Sequence, residues 1–183
     1  LVVYTSAAKA KEGGQAAMEA LITLGVDSAN QAYSNSQIAM QLRLVRMAEV
    51  TYTESGNMDT DLTRLQNTTD GIMDQVHQLR DQHKTDLVAL IVDNGGNSCG
   101  IAYVMTNGPR ASFASYAFSV TARDCIANNT LAHELGHNMG DAHDRATGGT
   151  GAFPYSYGYR DEIGKFRTIM AYACPTVSCP RVK

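Results

Sequence analysis

The sequence predicts a mixed α/β domain built on a mainly parallel sheet, and three observations carry that expectation. Strand-like and helix-like segments alternate along the first half of the chain. Leu87-Val88-Ala89-Leu90-Ile91-Val92 is apolar throughout. Two further strand-like segments follow before the next helical pattern. Alternation of this kind implies parallel strands joined by right-handed crossovers, and an unbroken apolar strand implies a central place covered on both faces.

Taken in order, Leu1 to Tyr4 is a short apolar run suited to a buried strand. Gly13 to Ser34 places Ala16, Ala17, Ala20, Leu21, Leu24 and Ala32 at helical spacings, with Gly25 inside the helix at a cost in propensity. Ile38 to Val50 sets Ile38, Met40, Leu42 and Leu44 against Gln41, Arg43 and Val45, which is strand periodicity. Asp59 to Lys84 reads as one helix or two, with a break near Asn67 to Asp70. Asp86 to Asp93 holds the central strand, and Asp93 to Ser98 is loop. Ile101 to Met105 and Ser115 to Thr121 are two more strands about a turn region at Gly108-Pro109. Ala132 to Met139 is helical, Ala146 to Gly151 and Pro154 to Tyr159 look irregular, and the small C-terminal part is expected to be irregular.

A length of 183 residues fits one domain with a substantial core. Hydrophobic content of 44% and charge content of 18% describe an ordinary globule and exclude a disordered chain. A formal net charge of -3 offers no basis for binding nucleic acid or a membrane surface. No apolar run approaches the roughly 20 residues of a membrane helix. The start of the chain lacks the regions of a signal peptide, and no internal repeat is visible.

The chemistry is concentrated in His133-Glu134-Leu135-Gly136-His137-Asn138-Met139-Gly140-Asp141-Ala142-His143-Asp144. On a helix, His133 and His137 project from one face toward a single ion. Gly140 is placed for the sharp turn that would return His143 as third ligand. Three imidazoles hold zinc and leave a fourth position for water, as catalytic sites do. Glu134 lies beside that ion as a candidate general base. The remaining histidines, His77 and His83, fall outside any ligand spacing, and Asp141 reads as a loop residue.

This pattern, H-E-x-x-H-x-x-G-x-x-H, resembles the long zinc signature of the metzincin metallopeptidases. Asp144 after the third histidine is similar to the reprolysin (adamalysin) branch. Leu1 to Thr5, Thr51 to Gly56 and Gly100 to Met105 resemble bacterial members of the peptidyl-aspartate metallopeptidase type. The resemblance implies an α/β (α+β) metzincin fold with a five-stranded sheet. It places Gly100 to Met105 as an antiparallel edge strand where Gly100, Ile101, Ala102 and Tyr103 would pair with an extended peptide. An upper subdomain of residues 1–140 and a lower one of 141–183 are expected within one catalytic domain. Met170, in Thr168-Ile169-Met170-Ala171-Tyr172, would floor the metal site. Asp144 would buttress the turn.

Tyr172 matches a position at which astacins and serralysins, but not adamalysins, carry a tyrosine that steadies the oxyanion. A taste for aspartate on the prime side would require a cation, with Arg181 the nearest candidate and Arg167, Arg160 and Lys183 behind it.

Cys99, Cys125, Cys174 and Cys179 allow three fully paired connectivities. No C-x-x-C pair occurs, so disulfides of a secreted protein are expected rather than a zinc–cysteine site. The expected pairs are Cys99–Cys125 and Cys174–Cys179. The overall expectation is a secreted, monomeric endopeptidase using one zinc ion, acting on protein or peptide substrates and held inactive by a propeptide before maturation. Its rivals are a non-proteolytic zinc amidohydrolase on the same scaffold and a catalytically silent peptide-binding domain.

Overall fold

The computed structural model describes residues 1–183. Strand β1 (Val2–Thr5) runs into helix α1 (Ser6–Glu12), whose first turn is capped by the Thr5 hydroxyl accepting from the Ala8 N–H. Helix α1 has no counterpart in the expectation from sequence, because only Ala8 on it is buried and no apolar stripe marks it. Gly13, at φ 101°, ends it in the left-handed conformation, and α2 (Gln15–Asn35) follows. Then come β2 (Met47–Val50), α3 (Met58–Gln66), α4 (Asp74–His83), β3 (Val88–Val92), β4 (Gly100–Ala102), β5 (Phe118–Ala122) and α5 (Thr130–Asn138). A small hairpin, β6 (Arg160–Asp161) and β7 (Phe166–Arg167), lies in the stretch expected to be irregular.

The sheet has five strands in the order β2-β1-β3-β5-β4, with β2, β1, β3 and β5 parallel and β4 antiparallel to β5 at one edge. All of β3 is buried. Val88, Leu90 and Val92 face a core shared with Leu62 and Leu65 of α3 and Val76 of α4. Ala89 and Ile91 face the opposite core, with Met18 and Ile22 of α2 and Leu131 and Leu135 of α5. The central strand thus separates two apolar layers, as its unbroken run implied. Gly25 lets α2 lie close to α5, since a Cβ there would sit 2.9 Å from both Ile126 Cγ2 and Leu131 Cδ2.

Three strand expectations shorten. Of Ile38 to Val50, only Met47–Val50 is strand. Ile38 and Met40 are exposed, while Leu42 is pinned to α2 because Asn30 exchanges side-chain hydrogen bonds with its main-chain N–H and carbonyl. Only Leu42 and Leu44 of the alternating set pack against the core that α2 shares, and no neighbouring strand pairs the backbone there. Likewise Ala111–Tyr116 forms a 3₁₀ turn, so β5 begins at Phe118. The edge strand stops at Ala102, and the Met105 N–H is taken by the His137 carbonyl.

Candidate active site

Helix α5 is buried along its whole length beneath the edge strand. His133 and His137 stand one turn apart on it. Their Nδ1 atoms meet main-chain carbonyls, Ile169 at 2.8 Å and Asp141 at 2.7 Å. A carbonyl can only accept, so each Nδ1 carries the proton and each Nε2 presents a lone pair. After Met139 the chain reverses at Gly140, φ 103°, where the Asp141 N–H closes on the Gly136 carbonyl at 2.9 Å. A Cβ on Gly140 would also stand 2.5 Å from the Ala152 Cβ. His143 is thereby returned with its Nε2 at 3.1 Å from that of His137 and 3.2 Å from that of His133.

Those separations test the fit to a metal. Ligand atoms about 2.0–2.1 Å from a tetrahedral zinc lie roughly 3.3 Å apart. At most one of the three Nε2 atoms can bear a proton without losing the carbonyl contacts, so lone pairs face one another across the gap. A cation satisfies that arrangement. Burial lowers the pKa of His133 to about 3 and of His137 to about 4, and it lowers that of His143. All three are therefore neutral donors near pH 7, as metal ligation requires.

Glu134 is buried beside them. Burial pushes its carboxyl up to about 8, and the charge of Arg181 acts in the opposite direction. Its side chain lies directly against Gly100 of the edge strand, where a Cβ would come 2.7 Å from Glu134 Cδ. Gly100→Ala is therefore expected to displace the carboxylate and lower kcat by about tenfold or more while leaving zinc content intact, which metal analysis beside a kinetic assay would check.

Around this group a cleft of ≈ 460 Å³ is bounded by Gly100, Ile101 and Ala102 of β4, by Gly148 to Thr150, by Tyr172 and by Arg181. Tyr103 is placed differently. Its ring packs edge-on against Tyr116 at 5.2 Å, it is not among the cleft residues, and its carbonyl accepts from the Asn138 side-chain amide at 2.9 Å. Met170 is buried under α5 with its Sδ only 2.6 Å from where a Cβ on Gly136 would be, so that glycine makes room for the methionine. Tyr172 is half-exposed, its ring centroid 4.3 Å from that of His143.

Asp144 is buried and joins three segments. It accepts from the Thr147 N–H and hydroxyl and from the Tyr172 N–H at 3.1 Å, and it pairs with Arg160 Nη2 at 2.5 Å. Burial opposes its ionisation, yet these hydrogen bonds and the Arg160 charge hold its carboxyl below the usual range. Arg160 is thus committed to Asp144. Arg167 donates to the carbonyls of Cys179 and Ala171, and Lys183 is exposed. Of the four cations named from sequence, only Arg181 lines the cleft. His77 lies against Phe118, away from the site. Cys99 is bonded to Cys125 and Cys174 to Cys179.

Sequence reasoning missed the carbonyls of Ile169 and Asp141 that orient the imidazoles, and also Gly136. The carbonyls carry no residue-type signal. Gly136 had one, as a glycine inside a helix with no turn to explain it.

A family model described as Metallo-peptidase family M12 matches residues 1–181. A peptidyl-Asp metalloendopeptidase of Stenotrophomonas maltophilia (strain R551-3) is 41% identical over 187 residues, covering 100% of this chain and 43% of that protein. One of Xanthomonas campestris pv. campestris is 41% identical over 184 residues, covering 100% and 42%. A third, of Pseudomonas fragi, is 34% identical over 156 residues, covering 84% and 77%. The chain spans less than half the length of the first two relatives. A solved structure described as "Structure of a chaperone-substrate complex" shares the fold, with a TM-score of 0.69 at 18% identity over 100% of this chain and 34% of that one.

Proposed function

This chain belongs to metallopeptidase family M12, and from that membership we propose that it is the catalytic domain of a secreted zinc endopeptidase that cleaves on the amino side of aspartate. The observation that carries the reading is the convergence of three Nε2 atoms, 3.1 and 3.2 Å apart, beside a buried carboxyl and an open groove. His133, His137 and His143 would hold the zinc. When bound, it would supply Lewis acidity for the scissile carbonyl and acidify water.

The chain's own residues divide the rest of the work. The free edge of β4 at Gly100 to Ala102 offers main-chain groups to an extended peptide, giving affinity without regard to most side chains. Glu134 takes the proton of the attacking water and passes it to the leaving amine. A carboxylate lining the cleft beside the three imidazoles can take that proton as the water attacks and return it to the amine. Tyr172, standing over His143 at the cleft mouth, donates its phenol to the oxygen that becomes negative. Met170 supports the ligand helix through Gly136, and Asp144 ties the third ligand to the turn carrying Tyr172. The cleft lies between residues 1–140 and 141–183, which we read as the two subdomains of a metzincin catalytic domain.

Secretion is supported by two disulfides, which persist in oxidising compartments. No helix is long and apolar enough to cross a membrane. The aspartate preference is named in the relatives and is consistent with a cation in the cleft wall. Mass-spectrometric mapping of casein fragments produced by the zinc-loaded protein tests the proposal. Cuts before aspartate are expected; an undigested substrate would refute the peptidase reading. Tyr172→Phe is expected to lower kcat by about 100-fold with KM little changed, and full turnover by that variant would remove the phenol from the mechanism.

A further inference from the structure

The cleft that Glu134 lines also carries a guanidinium in no ion pair, and we propose that Arg181 is the residue that reads the aspartate carboxylate just after the scissile bond. The proposal rests on the endopeptidase reading and deepens it. Arg181 lines both the cleft at the three histidines and an adjoining hollow of ≈ 570 Å³ that is also lined by Thr130 and Arg167. Its Nη1 donates to the Asn128 carbonyl at 2.8 Å, but its Nε is buried with no acceptor. None of the ion pairs in the molecule includes it.

Withdrawing a cation from water without an anion is costly, and the cost falls when a ligand brings one. Burial, with the neighbouring charge of Arg167, already disfavours the charged form of Arg181. Charges close by reinforce the need for an anion. Asn129 sets no side-chain oxygen over the first turn of α5, so the positive end of that helix also faces this region at Thr130.

Position along the substrate follows from Glu134. The carboxylate that hands a proton to the leaving amine must lie near the residue that owns the amine. Arg181 and Glu134 line the same cleft, with Cys99 and Thr130 beside them, while Gly148 to Thr150 and His143 bound it elsewhere. The side chain just past the scissile bond therefore meets Arg181. A guanidinium fork binds a carboxylate through two parallel hydrogen bonds and has no such match for a carboxamide.

The backbone holds Arg181 in place. The Arg167 N–H bonds the Pro180 carbonyl at 3.1 Å and the Val182 N–H bonds the Arg167 carbonyl at 2.8 Å, so residues 180–182 lie against β7. Cys174–Cys179 closes the loop leading there. Placement on a braced segment is what selective readout needs.

The test uses two peptides differing only by Asp or Asn after the scissile bond. The zinc-loaded chain is expected to favour the Asp peptide by about 100-fold in kcat/KM, the worth of charge-assisted hydrogen bonds. Arg181→Gln should bring that ratio to within about fivefold, Arg181→Lys should keep part of it, and Lys183→Gln should keep it whole. Calorimetry in the inert Glu134→Gln background supplies a second readout. There the Asp peptide should bind at least about tenfold tighter than its twin, and Arg181→Gln should erase the difference. An Asp-over-Asn ratio that survives Arg181→Gln, or that Lys183→Gln also destroys, would overturn the assignment. Failure of the wild-type chain to cut either peptide would sink the endopeptidase reading, while the binding preference would still decide on Arg181.

Discussion

Glu134→Gln is expected to lower kcat/KM for a protein substrate by about 10³-fold, within the range that positioned proton transfer contributes. The amide is nearly isosteric, so the packing against Gly100 and beneath β4 is kept. What disappears is the capacity to take a proton from water and return it to the amine. Because the wild-type carboxyl is desolvated, replacement by a neutral group costs the fold little, and thermal unfolding should be unchanged or slightly raised. Zinc content should also persist, since the three imidazoles and their carbonyl partners are untouched. A variant that keeps its metal and its melting temperature while losing turnover assigns the loss to chemistry. A variant that digests casein at the wild-type rate would remove Glu134 from the reaction.

Removal of zinc by a chelator is expected to abolish turnover and to lower the thermal midpoint together. The coupling follows from the geometry of the Nε2 atoms. With both Nδ1 protons committed to Ile169 and Asp141, the facing lone pairs of His133, His137 and His143 have no cation between them once metal leaves. An ion bound only by the folded chain stabilises it by about 4 kcal/mol when free metal exceeds the dissociation constant a thousandfold. For a chain of 183 residues that corresponds to roughly 8–16 °C. Differential scanning calorimetry with and without chelator, followed by zinc re-addition, checks both parts. A midpoint indifferent to chelation, or activity that survives it, would contradict a three-imidazole metal centre.

Much of this site was legible because its ligands are close in sequence. His133, Glu134 and His137 share one short helix, and Gly140 marks where that helix must end. Residues so near in the chain have few relative placements open to them, so spacing alone restricts the geometry. The same logic explains the central strand, whose apolar run leaves no face for water. It fails for Ile38 to Arg46, where alternation was real but the backbone found no partner strand. It fails also for Ser6–Glu12, where a helix forms from good helix formers and a threonine cap without an apolar stripe.

What depended on long-range packing could not be read in advance. Four cations stood near one another in sequence, and nothing local distinguished them. Folding commits Arg160 to Asp144 and Arg167 to main-chain carbonyls, and leaves Arg181 unpaired beside Glu134. Tyr103, expected to pair with a peptide, lies past the end of the edge strand, and its carbonyl is already taken by the Asn138 side-chain amide. The sequence by itself determined which residues could hold a metal and that the central strand would be buried, since helix period, turn chemistry and hydrophobicity are local properties. The tertiary structure alone decided which carbonyls orient the imidazoles and which charge is left without a partner, because those depend on segments that meet only after the chain has closed on itself.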